Sequence, residues 1–275
     1  MQTQAFKRHL ILILLSVIIA QPNLAQAQLE ILFFPVYALV PNTLLFPMDS
    51  KNVTNWKYLP SANANRALPT DISINIERFE DRREEKLSDL IFIADIPLIP
   101  YGSISSSKPE QASKHLIHKK WIFNPSHDFT GALLEELEAA KVFKEVSLDK
   151  KGNSDLVIKG EILNTAYRGK VYSYGLSAVG KVLWLIGFPM LSYSENLSLR
   201  ITCIDILTNR VLVSKTYTPS EEWRVEWVYS VHFHQQEMLY PKLMKSIYNE
   251  FAEDLKAALK EERQTIPDAK AVDTP

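Results

Sequence analysis

The chain predicts an α+β fold, a mostly antiparallel sheet packed against two main helices, preceded by a Pro-rich amino-terminal arm. Three observations carry this. Apolar and polar residues alternate in short runs at 72–79, 155–167 and 197–217, the period of half-buried strands. Apolar residues recur at helical spacing in two longer stretches, 128–146 and 240–260. The resulting order of strand, helix, three strands and helix contains few of the βαβ crossovers that a parallel sheet needs.

The amino terminus has the three parts of an export signal in order: basic Lys7 and Arg8, apolar Leu10 to Ala20, then small Ala25 and Ala27. Residues 1–27 are therefore expected to be a cleavable signal that places the protein in the periplasm, peripheral to the outer membrane. The apolar stretch is shorter than the roughly 20 residues that span a bilayer core. The alternative is an uncleaved signal anchoring the chain in the inner membrane. Cys203 is the single cysteine, far from the cleavage point, so neither lipidation there nor an intramolecular disulfide is expected. Its neighbours Ile201, Ile204 and Ile206 mark it as a small core residue.

Residues 28–70 are apolar but interrupted by Pro35, Pro41, Pro47, Pro60 and Pro69, a spacing that breaks both helix and central strand and predicts an extended arm. Its most apolar part, Ile31 to Val40, is expected to pack on the body, on a membrane or on a partner. The α+β domain is expected over 71–260. Its first strand, Ile72 to Phe79, turns Ile72, Ile74 and Ile76 to one side. The mixed charges from Glu80 to Lys86 then read as a solvated turn. An apolar run, Ile91 to Tyr101 with Pro97 and Pro100, leads to a Ser-rich loop.

A helix follows from about Asp128 to Val146, with Phe129, Leu133, Leu137 and Ala140 on one stripe and Ser126 or Asp128 as its cap. Asp155 to Tyr167 is a strand whose alternation slips around Gly160 and Glu161, which predicts a bulge. Leu197 to Ile206 and Val211 to Tyr217 form the plainest hairpin, with turn residues from Asp205 to Arg210. Trp223, Val225, Trp227 and Tyr229 alternate with Arg224, Glu226 and Val228 as the core side of a further strand, or alternatively as an aromatic ligand face with Phe233. The last helix, about Tyr240 to Lys260, has Pro241 in its first turn and an apolar stripe of Leu243, Ile247, Phe251, Leu255 and Leu259. A polar tail is expected over 261–275.

Six of the eight glycines fall between Gly152 and Gly187, so backbone freedom is concentrated there. Within that stretch, Tyr172 to Tyr193 reads as a long excursion between two strands. Its apolar tip, Val182, Leu183, Trp184, Leu185 and Ile186 with Phe188 and Met190, is the candidate contact with a membrane or partner. The other reading buries Val182 to Ile186 as a strand or beneath the arm.

Several runs then resemble one another's order in a known group: Arg78-Phe79-Glu80-Asp81-Arg82-Arg83, Ile96-Pro97-Leu98-Ile99-Pro100-Tyr101-Gly102, Ser154-Asp155-Leu156-Val157-Ile158-Lys159-Gly160-Glu161, the Trp184 to Pro189 tip and the Leu199 to Tyr217 hairpin. Over Ile72 to Leu259 the layout is similar to a poorly characterised group of bacterial envelope proteins, many of them lipoproteins. It resembles the amino-terminal domain of the periplasmic Tol-system propeller protein and the auxiliary lipoproteins of envelope transporters. The chain departs from that pattern in lacking the lipidated cysteine. The resemblance implies an accessory or scaffolding role in the envelope.

Charge is balanced, with 31 basic and 32 acidic residues and a net charge of −1, so no global field recruits nucleic acid. No catalytic, cofactor-binding or metal-binding residues are expected. His232 and His234 share a strand face but lack a third ligand, and His115 and His118 sit among Lys114, Lys119 and Lys120. There is no Gly-x-Ser-x-Gly elbow and no phosphate loop. The expected function is a non-catalytic envelope protein whose partner is an envelope complex or a membrane surface. The alternatives are a periplasmic carrier of a small molecule or lipid, lined by Tyr174, Phe188, Trp223 and Trp227, and a hydrolase.

Overall fold

The computed structural model describes residues 53–61, 71–111, 120–149, 154–227 and 238–265. The export signal, most of the arm, Tyr229, Phe233 and the histidines at 115, 118, 232 and 234 lie outside the described residues. The first elements are β1 (Val53–Asn55), β2 (Ser73–Ile76), β3 (Glu80–Asp81) and β4 (Leu87–Leu90). A 3-10 turn, Ile91–Asp95, leads to β5 (Tyr101–Ser106), β6 (Lys120–Ile122), helix α1 (Pro125–Ala140) and β7 (Glu145–Leu148). Then come β8 (Leu156–Asn164), β9 (Tyr167–Tyr172), a second 3-10 turn (Ser177–Lys181) and the one-turn helix α2 (Val182–Leu185). The chain closes with β10 (Leu191–Glu195), β11 (Ser198–Asp205), β12 (Val211–Tyr217), β13 (Glu222–Glu226) and helix α3 (Tyr240–Thr265).

These make an α+β fold with mixed strand pairing. A six-stranded sheet runs β12-β11-β8-β2-β7, with β3 also on β8, and β2 is parallel to both of its neighbours. The parallel pairing of β2 and β7 follows from α1, which carries the chain back before β7 begins. A five-stranded sheet, β13-β10-β9-β5-β4, is antiparallel throughout. Short corners at 165–166 and 196–197 pass the chain from β8 to β9 and from β10 to β11, so the two sheets are joined directly.

One core serves both sheets. Ile74, Ile76, Leu156, Ile158, Ile162, Leu199, Ile201 and Cys203 form the inner face of the six-stranded sheet, all but removed from solvent. Phe129, Leu133 and Leu137 of α1 and Leu243, Ile247, Phe251 and Leu255 of α3 close that face. The segment 56–61 is tied to α1, where Tyr58 Oη donates to Glu136 Oε2 at 2.8 Å and Trp56 packs on Phe129.

Four local expectations are corrected. Helix α1 is capped by Asn124, not by Ser126 or Asp128. The Asn124 side chain accepts from the His127 amide while Asp128 Oδ2 accepts from the Asn124 amide at 2.7 Å, and Pro125 fills the first turn. The same helix ends at Ala140 on a left-handed Lys141, so Glu145 to Leu148 can pair as β7. There is no bulge at Gly160, which pairs in register with Ile201. It occupies an ordinary inward position, and a side chain there would meet the Phe79 ring at 2.3 Å.

The fourth correction concerns the charged run after β3, where Arg83 is buried rather than solvated. Its guanidinium donates Nε to Asp81 Oδ1 at 2.8 Å and Nη2 to Glu110 Oε1 at 2.7 Å, and Nη1 to the Thr165 hydroxyl at the corner between the sheets. Burial of a cation requires such paired partners. The hydrogen bonds from Arg83 hold the Asp81 carboxyl down at about 2.

Candidate docking surface

The register of β13 against β10 decides which side its aromatic residues face. Leu191 and Tyr193 are buried, and they stand opposite Glu226 and Arg224. Trp223 and Val225, one position out of phase, therefore project to the opposite face, with Trp223 54% exposed. The alternation expected from sequence is present, but the core expectation for Trp223, Val225 and Trp227 is overturned, since all three are exposed. Glu226 takes the inward place, and burial together with this carboxylate pushes the Tyr193 hydroxyl up. Glu195, also inward, accepts from the Leu239 and Tyr240 amides at 2.7 and 3.0 Å and so caps the start of α3.

The outward face of the five-stranded sheet can be read row by row. Tyr101 and Tyr172 are register partners, and Met190 bridges the same row toward Trp227 through backbone bonds from Tyr172 N to Met190 O and from Met190 N to Glu226 O. The next outward row carries Ser103, Lys170, Ser192 and Val225, and the one after it Ser105, Arg168, Ser194 and Trp223. Lys170 Nζ lies 4.7 Å over the Tyr101 ring.

The two described connections at the Tyr101 and Tyr172 end of this sheet, 91–100 and 173–190, build a knob. Leu98 N donates to Gly175 O at 2.9 Å, Ser177 Oγ to Asp95 O at 2.6 Å and Ser173 Oγ to Ile99 O at 2.7 Å, which binds 91–99 to 173–181. Gly180 is required here because a Cβ would stand 1.7 Å from the Ser173 carbonyl oxygen. Trp184 is 1% exposed and donates Nε1 to Tyr172 O at 3.0 Å, and Met190 is likewise buried. These two of the predicted contact residues act as internal pins. Val182, Leu183 and Leu185 are half-buried, while Ile186 and Phe188 are exposed on either side of Gly187, which has a φ of 101°.

Sequence reasoning missed the other half of the knob. Phe92, Ile96 and Leu98 are exposed, Leu98 to 82%. The signal available was the apolar run from Ile91 to Tyr101, which has no strand alternation and two prolines. Rings connect the knob to the sheet in an unbroken series: Tyr101 to Tyr172 at 6.2 Å, Tyr172 to Tyr174 at 5.8 Å and Tyr174 to Phe188 at 5.4 Å.

No family model matches the chain, and no curated protein does. Among solved structures the chain is similar to a Xanthomonas campestris protein assigned to the DUF330 family model. The identity is 12%, the TM-score 0.42, and the match covers 77% of this chain and 97% of that one. It is also similar to a neuraminyllactose-binding hemagglutinin homolog from Helicobacter pylori, at 11% identity and a TM-score of 0.29, covering 76% and 95% of the two chains. Both neighbours are bacterial proteins.

Among the described residues no group of three or more His, Cys, Asp and Glu could hold a metal ion, and no helix is long and apolar enough to cross a membrane. What the described surface offers is a set of exposed apolar side chains on a hydrogen-bonded base.

Proposed function

We propose that the chain is a non-catalytic, exported envelope protein that docks on a membrane or on an envelope complex through the knob and the outward face of the five-stranded sheet. The observation that carries this reading is the grouping of exposed Phe92, Ile96, Leu98, Ile186 and Phe188 in one knob at the end of a sheet that also exposes Trp223, Val225 and Trp227. Water penalises contiguous apolar surface of this kind, and a soluble chain keeps it where something covers it in use. Export rests on the sequence of residues 1–27 alone. An accessory or scaffolding role in the envelope is part of the same reading.

The test is cell fractionation of a variant carrying Leu98→Ser, Ile186→Ser and Phe188→Ser. The wild type is expected in the envelope pellet and the variant in the soluble fraction, with the same melting temperature. A triple variant that sediments with the envelope as the wild type does would end the docking reading. Trp184 is unsuitable for this purpose, because its replacement disturbs the interior.

A further inference from the structure

We infer that the surface covering this face is a bilayer containing anionic phospholipid, whose headgroup phosphates are met by Lys170 and Arg168. The inference rests on the docking reading above and names its partner. Its first support is how charge is divided between the two sides of the five-stranded sheet. The carboxylates carried by these strands, Asp89, Glu195, Glu222 and Glu226, all occupy inward register positions, whereas Arg168 and Lys170 both point outward. The outward positions of the five strands thus carry two cations and no acid, in a chain whose net charge is −1. Glu221, just before β13, lies on this face in the Arg168 row, its Oε1 accepting from Ser194 Oγ at 2.6 Å and standing 3.9 Å from Arg168. The knob adds no net charge, because its charged residues, Asp95 and Lys181, are paired at 3.1 Å.

The second support is the order of chemistries along the strands. The apolar knob stands at the end, the Tyr101, Tyr172 and Trp227 row comes next, then Lys170 in one row with Val225, then Arg168 in one row with Trp223. Successive outward residues on a strand are about 6.6 Å apart, so the two cations follow the aromatic row in steps of that size. A membrane interface has the same sequence of layers: hydrocarbon, an aromatic belt at the headgroup boundary, and phosphates above it. A soluble protein partner would not impose that stratification. Lys170 stands one row beyond the aromatic residues and reaches back to them, its ammonium 4.7 Å over the Tyr101 ring at the edge of the apolar end.

The experiment is flotation of the full chain, purified as the cell processes it, with phosphatidylcholine vesicles and with vesicles containing phosphatidylglycerol. Partitioning onto anionic vesicles is expected to exceed that onto neutral ones, and to fall as salt rises, since the Debye length shrinks to about 3 Å at 1 M. Each of Lys170→Ser and Arg168→Ser is expected to lower anionic partitioning about fivefold, and Lys170→Arg to restore it. Equal binding to the two vesicle types, no binding to either, or an unaffected Lys170→Ser, Arg168→Ser double variant would overturn the lipid inference. The docking reading would survive any of these results if the knob variant still left the envelope pellet, so the two failures are separable.

Discussion

The outward faces of the two sheets have opposite chemistry although one core supports both. On the six-stranded sheet the outward positions hold Lys159, Glu161, Arg200, Thr202 and Ser214, and they are paired: Arg200 meets Glu161 at 2.9 Å, Thr202 meets Ser214 at 3.1 Å, and Lys159 meets Glu77 at 3.5 Å. On the five-stranded sheet the same kind of position holds Tyr101, Tyr172, Trp223 and Val225, with Lys170 and Arg168 among serines. A sheet with one face on the core ordinarily turns a polar face to water, as the mixed six-stranded sheet does, whereas the antiparallel five-stranded sheet turns aromatic residues outward. The contrast teaches that the exposed aromatics are no general looseness of the fold. Among the described residues they are confined to one sheet and to the knob at its end.

The comparison can be broken or sharpened by substitution. The largest effect is expected at the base of the knob, where Trp184→Ala removes a fully buried indole and should cost about 3–5 kcal/mol in urea unfolding. A surface role for Trp184 would instead leave the midpoint unmoved. Next is Gly180→Ala, whose new Cβ must displace the Ser173 backbone. A loss of about 1–3 kcal/mol is expected, with envelope association weakened because the knob shifts on its base.

Smaller again is an effect of acid on the junction between the sheets. The Asp81 carboxyl sits at about 2, below its ordinary 3.8, because Arg83 hydrogen-bonds the charged form. Depression in the folded state means that the stabilisation is fully present above the unfolded value and is lost as pH falls from about 4 toward 2. Its size, discounted for partial exposure, is about 1–2 kcal/mol, and Asp81→Asn should remove that part of the acid dependence in pH-resolved thermal melts. The smallest stability changes belong to the two outward faces themselves. Ile186→Ser with Phe188→Ser, and Lys159→Ser with Thr202→Ala, should each stay within about 0.5 kcal/mol of wild type. Only the first pair should reduce envelope association, and equal behaviour of the two pairs in fractionation would erase the contrast between the sheets.

Much of the local structure was legible because it depends on near neighbours. The hairpin of β11 and β12 lies where alternation and turn residues predict it, and α3 begins at Tyr240 with Pro241 in its first turn. The candidate site was legible in part. Ile186 and Phe188 are exposed in the excursion between two strands, but Trp184 and Met190 are internal, and Phe92, Ile96 and Leu98 join from 90 residues away in the chain, by the numbering. An apolar pentapeptide carries no mark that separates a pin from a tip.

By itself, then, the sequence determined the α+β class, the places of β2, β8, β11, β12 and α3, the concentration of backbone freedom after Gly152, and the balance of charge. Tertiary structure alone decided which way the β13 aromatics face, because a strand pattern of period two is the same for either side and only the register with β10 breaks the tie. It also decided that Gly160 makes room for Phe79 rather than a bulge, and that Arg83 is buried between two carboxylates. In each case the deciding partner is distant in the chain. Residue 83 meets residues 110 and 165, and no local pattern encodes a contact of that separation.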